Sequence, residues 1–153
     1  SQAEKEVSMK SLKLDWLISS IMYLTMYRQS FQKYHNVRQT YNGYNYDSRL
    51  EASRAYELDI MLKAKQIKGY ERQYKVQLYY YNAKGERFDT KTWKIDFRVE
   101  ELDGSFTLCE VKGMELPDYK FKRELLENVW LRDNPDHSFE VLKQSNIRNY
   151  FTK

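Results

Sequence analysis

At 153 residues, with 41% apolar and 31% charged side chains, the chain has the length of one domain, enough to bury a single core, and is too apolar to be disordered. Its net charge of +4 and isoelectric point near 9.0 favour an anionic partner without identifying one. The lone cysteine, Cys109, excludes an internal disulfide and a multi-cysteine zinc site, and its strand setting suits a small buried side chain. The two histidines, His35 and His137, have no metal-ligand spacing and read as surface residues.

Residues 1–7 are polar and read as a frayed end. No basic-then-apolar leader follows, and the longest uncharged stretch, Trp16 to Tyr27, has twelve residues, short of a bilayer's thickness; the expected setting is the cytoplasm. Met9 to Lys33 has a helical pattern, with Leu14, Leu17, Ile18, Ile21, Leu24 and Phe31 on one broad side and Trp16, Met22 and Tyr23 widening it. A helix apolar on more than one side needs a cover, which an intrachain core or a second copy would supply equally well.

From residue 35 onward the elements become distinct. Asn42-Gly43 suits a tight hairpin turn between two short extended pieces. Asp47 or Ser48 caps a second helix running to about Gln66 or Ile67, ended by Gly69. Tyr70 to Tyr81 reads as a strand, turned by Ala83-Lys84-Gly85-Glu86. Thr92 to Glu100 alternates, with Trp93, Ile95, Phe97 and Val99 on one side and Lys94, Asp96, Arg98 and Glu100 on the other. Asp103-Gly104 turns the chain into a strand from Ser105 to Val111. Pro117 opens a third helix, Asp118 to Leu131, with Phe121, Leu125 and Val129 in its buried stripe; Asn134-Pro135 forbids continuation. Phe139 and Val141 mark a last strand, while the tail from Gln144 is ambiguous. The order α-β-β-β-α-β after an N-terminal helix predicts an α/β fold, a mixed sheet flanked by helices. The expected division is a helical extension over 1–34 and a core over 35–153.

Candidate chemistry gathers at two strand ends. Asp96 lies on the polar side of its strand, and fourteen residues later Glu110 and Lys112 share a face that also carries Phe106 and Leu108. Glu51 heads a helical stripe with Ala55, Leu58 and Leu62, although Ser48-Arg49-Leu50-Glu51 also matches a capping box. A surface ion ladder with Lys94 and Arg98 would explain Asp96 alone; the combination of acids and lysine points to a site. Two acids hold Mg²⁺ with the Val111 carbonyl as a third ligand, and Mn²⁺ is an alternative. Lys112 orients a water or neutralises added charge, and Glu51 binds a second metal or a metal-bound water. The fourteen tyrosines, several set among Lys and Arg, read mainly as strand packing, with base stacking as the functional alternative.

These residues resemble the PD-(D/E)XK nuclease superfamily, and within it a phage and prophage family long catalogued as a domain of unknown function. The resemblance runs through Tyr46-Asp47-Ser48-Arg49-Leu50-Glu51-Ala52, Arg72-Gln73, Ile95-Asp96-Phe97, Glu110-Val111-Lys112-Gly113 and Tyr119-Lys120-x-Lys122-Arg123, covering about Asn42 to Val141. It implies a PD-(D/E)XK-type core and a Mg²⁺-dependent DNA endonuclease used in phage replication or recombination, in the host cytoplasm if phage-encoded. It is similar to the endonuclease I-type resolvases of Holliday junctions, which would make branched DNA a substrate. Gln73 would orient a water or phosphate, and Lys120, Lys122 and Arg123 would bind flanking phosphates of the DNA. Symmetric junction cleavage would call for a homodimer, for which the N-terminal helix offers a surface. Two other readings stand beside this one: a nuclease-fold module that binds DNA without cutting, and an interaction protein that docks a replication or packaging partner through the N-terminal helix.

Overall fold

The computed structural model describes residues 17–19, 37–113 and 115–152. It divides after residue 36 into two units. In the first, Leu17–Ser19 is helical; the rest of the expected helix from Met9 to Lys33, its proposed dimer surface and His35 lie outside the described residues. Among the described residues, no helix is long and apolar enough to cross a membrane.

The second unit, from Val37 onward, opens with a hairpin, β1 (Gln39–Tyr41) and β2 (Tyr44–Tyr46). Asn42 and Gly43 take φ of 49° and 78°, the paired positive angles of a primed turn that twists with its strands. Helix α1 (Arg49–Lys63) follows, with Ser48 as its N-cap. It ends earlier than the composition suggests. Lys65 adopts φ 57°, and the Lys65 and Gln66 amides donate back to the Leu62 and Met61 carbonyls at 3.1 and 2.9 Å. A lysine thus fills the left-handed position usually given to glycine, which leaves Gly69 to open the next strand.

That strand, β3 (Gly69–Tyr81), forms a long antiparallel hairpin with β4 (Arg87–Glu100). β5 (Phe106–Val111) pairs antiparallel with β4 over Phe97–Glu100 only, and β6 (His137–Leu142) pairs parallel with β5. The order β3-β4-β5-β6 is therefore a mixed four-stranded sheet. Between β5 and β6 the chain crosses over through α2 (Pro117–Leu125), a π turn (Leu126–Trp130) and a last helical turn, α3 (Leu131–Asp133). This is an α/β architecture with helices packed against both sides of the sheet.

The alternation expected along β4 fails at one place. Phe97 and Val99 pack with Ala52, Ala55 and Leu58 of α1, and with Cys109 and Val111. Trp93 and Ile95 belong instead to a second core with Val76, Leu78, Leu108, Tyr119 and Leu126. Arg98, directly opposite Leu108, sits over the Tyr74 ring on this second side, so an even-numbered residue shares a face with the odd-numbered Trp93 and Ile95. β3 changes face at the matching position, because Tyr70 meets Phe97 whereas Tyr74 belongs with the second core. The reversal falls on Gln73, whose φ is 54°, and on Asp96 across from it; both drop out of the ladder between Arg72↔Phe97 and Tyr74↔Ile95. One left-handed residue turns the strand over, so both faces of the sheet receive apolar side chains from the same two strands. Each fully buried large side chain, Phe97 and Leu58 among them, contributes roughly 2 kcal/mol.

Other expectations shift in detail. Leu62 points to solvent rather than continuing the stripe of Ala55 and Leu58. The buried positions of the crossover are Tyr119 in α2 and Leu126 at the start of the π turn, seven residues apart on one side, while Phe121 is 49% exposed and outside the stripe. The tail forms no regular element but covers α1: Ile147 joins the first core and the Tyr150 amide donates to Ser53 Oγ at 3.0 Å. His137 is no surface residue. Its side chain is only 6% exposed, lying against Phe106 and Trp130 at 4.9 and 5.0 Å between ring centres. Cys109 is buried as expected.

Candidate functional site

The β4–β5 ladder stops at Phe97↔Cys109, and the next two residues are Asp96 and Glu110. Side chains replace the missing ladder bonds. The Asp96 amide donates to Glu110 Oε2 at 3.3 Å, and the Val111 amide donates to Asp96 Oδ2 at 2.8 Å. The strands part here because Gln73 and Asp96 have turned β3 and β4 over, and each acid satisfies a backbone donor that the parting would strand.

Lys112, just past the end of β5, places Nζ 3.4 Å from Glu110 Oε1 and 4.9 Å from the centre of the Tyr119 ring. Tyr119 comes from α2, so the crossover helix closes this side of the site. Glu110 is 4% exposed. A carboxylate that dry is stable only with a cation or strong donors at hand. Lys112 and the Asp96 amide supply part of that need.

Glu51 approaches from α1. The capping box forms: the Glu51 amide donates to Ser48 Oγ at 3.1 Å, and the Glu51 carboxylate accepts from Ser48 Oγ and the Asp47 amide at 3.2 and 3.3 Å. Capping does not remove Glu51 from the acid cluster. Burial, then the nearby charges of Asp96 and Asp47, push its pKa up to about 7. Burial and the Glu110 charge likewise raise Asp96, against the opposing pull of the Val111 amide and Lys112. Glu110 is raised chiefly by burial and also by Glu51, while Lys112 and the Asp96 amide work the other way. Three carboxyl groups from three elements therefore share one poorly hydrated region with one lysine.

The donor set is hard oxygen, which suits Mg²⁺ or Mn²⁺ rather than a soft metal. Among the described residues, no three His, Cys, Asp or Glu side chains close around a common ion position. Asp96 and Glu110, with the Val111 carbonyl and waters, are the ligand set these positions offer, and Mg²⁺ ordinarily keeps several waters. The surplus of carboxyl groups over cations fits a divalent ion.

The remaining expected site residues divide. Gln73 is opposite Asp96, with its side chain exposed. Lys120 is exposed on α2. Lys122 is paired with Asp118 at 3.0 Å, and Arg123 with Glu127 and Glu115 at 2.9 and 3.2 Å. Arg72, which enters the family resemblance in the Arg72-Gln73 pair without a role of its own, has its guanidinium 3.9 and 4.4 Å from the ring centres of Tyr44 and Tyr46, and Tyr46 stacks on Phe97. Its signal was the tyrosine-rich hairpin, whose rings form a cation clamp beside the acid cluster.

Fold and site together define an α/β domain with a buried carboxyl cluster at a splayed sheet position. Residues 31–146 match the family model described as "Protein of unknown function (DUF1064)", and the chain belongs to that family. No curated protein and no solved structure matches it.

Proposed function

We propose that this protein is a Mg²⁺-dependent DNA endonuclease of the PD-(D/E)XK type. The observation that supports the reading most is the convergence of Glu51, Asp96 and Glu110 with Lys112 where β4 and β5 part. Each acid satisfies one backbone amide, but that structural role gives no reason to crowd the three carboxyl groups together until burial and mutual repulsion make each resist ionisation.

A bound Mg²⁺ supplies Lewis-acid stabilisation of the phosphoryl oxygens and a more acidic water. Asp96 and Glu110 would hold it, with Asp96 Oδ2 and Glu110 Oε2 fixed by the Val111 and Asp96 amides. Lys112 lies at the edge of the acids, where its charge offsets the negative charge that develops on the attacked phosphate. Glu51, with a pKa near neutrality, is suited to accept a proton from the attacking water, its carboxylate oriented by Ser48 and the Asp47 amide. Lys120, exposed on α2, would meet a flanking phosphate. Branched DNA in phage replication or recombination is the substrate the family likeness suggests, with two copies of the chain cutting opposite strands.

The test is incubation of wild type and Asp96→Ala with linear duplex, flap and four-way junction DNA, with and without Mg²⁺ or Mn²⁺. Metal-dependent cutting, best on the junction and lost in the variant, is expected. Cutting that survives Asp96→Ala overturns the site, and a wild type that binds DNA but cuts none of the substrates makes the protein a binding module.

A further inference from the structure

Beyond Phe97, β4 no longer pairs with β5, and β3 and β4 continue as a two-stranded arm. One face of the arm, with Val76, Leu78, Trp93 and Ile95, is covered by Tyr119 and Leu126. The other face carries Lys75, Gln77 and Tyr79 on β3, opposite Lys94, Thr92 and Thr90 on β4, and all six are exposed.

The chemistry of this face is one-sided. Lys75 and Lys94 are direct cross-strand partners, an arrangement of like charges that destabilises a strand pair. Among the described residues, neither has a carboxylate within ion-pair distance. No acid occupies any of the six positions. The flanking acids are engaged elsewhere: Asp96 accepts from the Val111 amide, Glu71 pairs with Arg98 at 3.1 Å, Asp89 pairs with Lys91 at 3.0 Å on the other face, and Glu86 accepts from Asn82 in the turn. Thr92 Oγ1 and Gln77 are joined at 3.0 Å as neutral hydrogen-bonding groups, and Arg87 lies 5.0 Å from the Tyr79 ring centre. The face begins two residues from Gln73 on one strand and two from Asp96 on the other.

We propose that this face is a nucleic-acid tracking surface that holds the phosphate backbone of DNA leading away from the acid cluster. Lys75 and Lys94 straddle one phosphate and draw their repulsion down by sharing it. Gln77, its Oε1 held by the Thr92 hydroxyl, donates from Nε2 to a phosphate oxygen without reading sequence, and the Arg87–Tyr79 pair marks the distal end. The proposal rests on DNA being the substrate but not on cleavage, and it moves the main backbone contacts from α2, where Lys122 and Arg123 already have acid partners, to the arm.

The test measures binding without cutting. Anisotropy of labelled duplex and four-way junction DNA, with Ca²⁺ replacing Mg²⁺, is followed for wild type, Lys75→Glu/Lys94→Glu, and the control Lys63→Glu/Lys68→Glu, which changes net charge equally at exposed positions away from the arm and the acid cluster. The arm variant is expected to lose about tenfold in affinity near about 100 mM salt and to reduce the salt slope by about 1, the one phosphate the two lysines share; the control should change little. Single Lys94→Glu replaces repulsion by attraction to Lys75, so its Tm should be no lower than wild type while its DNA affinity falls. Equal loss in the control and arm variants, or wild-type binding by the arm variant, overturns the proposal. If the arm variant loses binding while wild type never cuts, the surface stands and the nuclease reading fails.

Discussion

Asp96 and Glu110 hold each other's strands: the Asp96 amide donates to the Glu110 carboxylate, and the Asp96 carboxylate accepts from the amide of Val111, the residue after Glu110. The two acids therefore close the gap left where the β4–β5 ladder ends, and they leave the Glu110 oxygen nearest Lys112 and the second Asp96 oxygen for other work. Asp96→Asn keeps an acceptor for the Val111 amide and removes only the charge. The structural and chemical roles of this pair can be separated by that one change.

Glu51 poses the same question on the helix. Glu51→Gln keeps one oxygen to accept from the Asp47 amide and can donate from Nε2 to Ser48 Oγ. The Ser48 Oγ bond from the residue 51 amide is untouched, so the cap is retained, whereas Ser48→Ala loses it and should cost about 1 kcal/mol by denaturant titration. Glu51→Gln should leave stability at pH 7.5 unchanged or slightly higher, while lowering cleavage by roughly 10²-fold or more. If both variants lose stability alike and neither loses activity beyond that, Glu51 is a cap only.

The raised acids also set a direction for stability against pH. Glu51 moves from 4.5 to about 7 and Asp96 from 3.8 to about 7 on folding. The folded state then binds more protons than the unfolded chain between these values, so stability is fully present below the unfolded pKa and is lost as pH rises through the folded one. Thermal unfolding with chelator should show a Tm a few degrees higher near about pH 5 than near about pH 8. Millimolar Mg²⁺ should recover the loss at the higher pH and do little at the lower, because the ion needs deprotonated ligands. A Tm that rises with pH under chelator contradicts the crowded-acid description.

Gln73 is the hinge on which both faces of the sheet depend. A non-glycine residue at positive φ carries about 1 kcal/mol of strain, and a β-branched one carries more. Gln73→Val should therefore lower stability by roughly 1–2 kcal/mol although the side chain is exposed, and Gln73→Gly should be close to neutral. Urea titration of the two variants measures the difference; equal stability would mean that residue 73 is not left-handed.

Asp59 joins three elements, accepting from Tyr41 Oη at 2.6 Å and Tyr70 Oη at 2.7 Å, on β1 and β3. Hydrogen bonds to a charged acceptor contribute roughly 1.5–3 kcal/mol each. Asp59→Ala should destabilise by about 3 kcal/mol and bring the tyrosine titrations back toward about 10, since burial and the Asp59 hydrogen bond together push Tyr41 up to about 12. Absorbance titration of tyrosinate reads the second effect directly.

Local chemistry was legible wherever neighbours in sequence decide structure. Asn42-Gly43, Ser48 with Glu51, Asp103-Gly104 and Pro117 each act within a few residues, and the element order follows from them. The placement of Glu110 and Lys112 was also legible, because β5 keeps its alternation. Gln73 was not: nothing in its side chain announces a left-handed backbone, and tertiary packing on both faces of the sheet imposes it. The split of Ile95 and Phe97 into separate cores follows from that single residue, so strict alternation along β4 misled. His137 was misread for a related reason, since its cover comes from Phe106 and Trp130 on other elements. Lys65 shows that a lysine with the right return hydrogen bonds can do the work expected of Gly69.

The most direct measurement is single-turnover cleavage of a saturating four-way junction by wild type, Asp96→Asn and Glu110→Gln, initiated with Mg²⁺ after binding in Ca²⁺. The account predicts that all three bind the junction with similar affinity, that wild type cuts it, and that each variant slows the cut by roughly 10³-fold. Cleavage by either variant at the wild-type rate would contradict it.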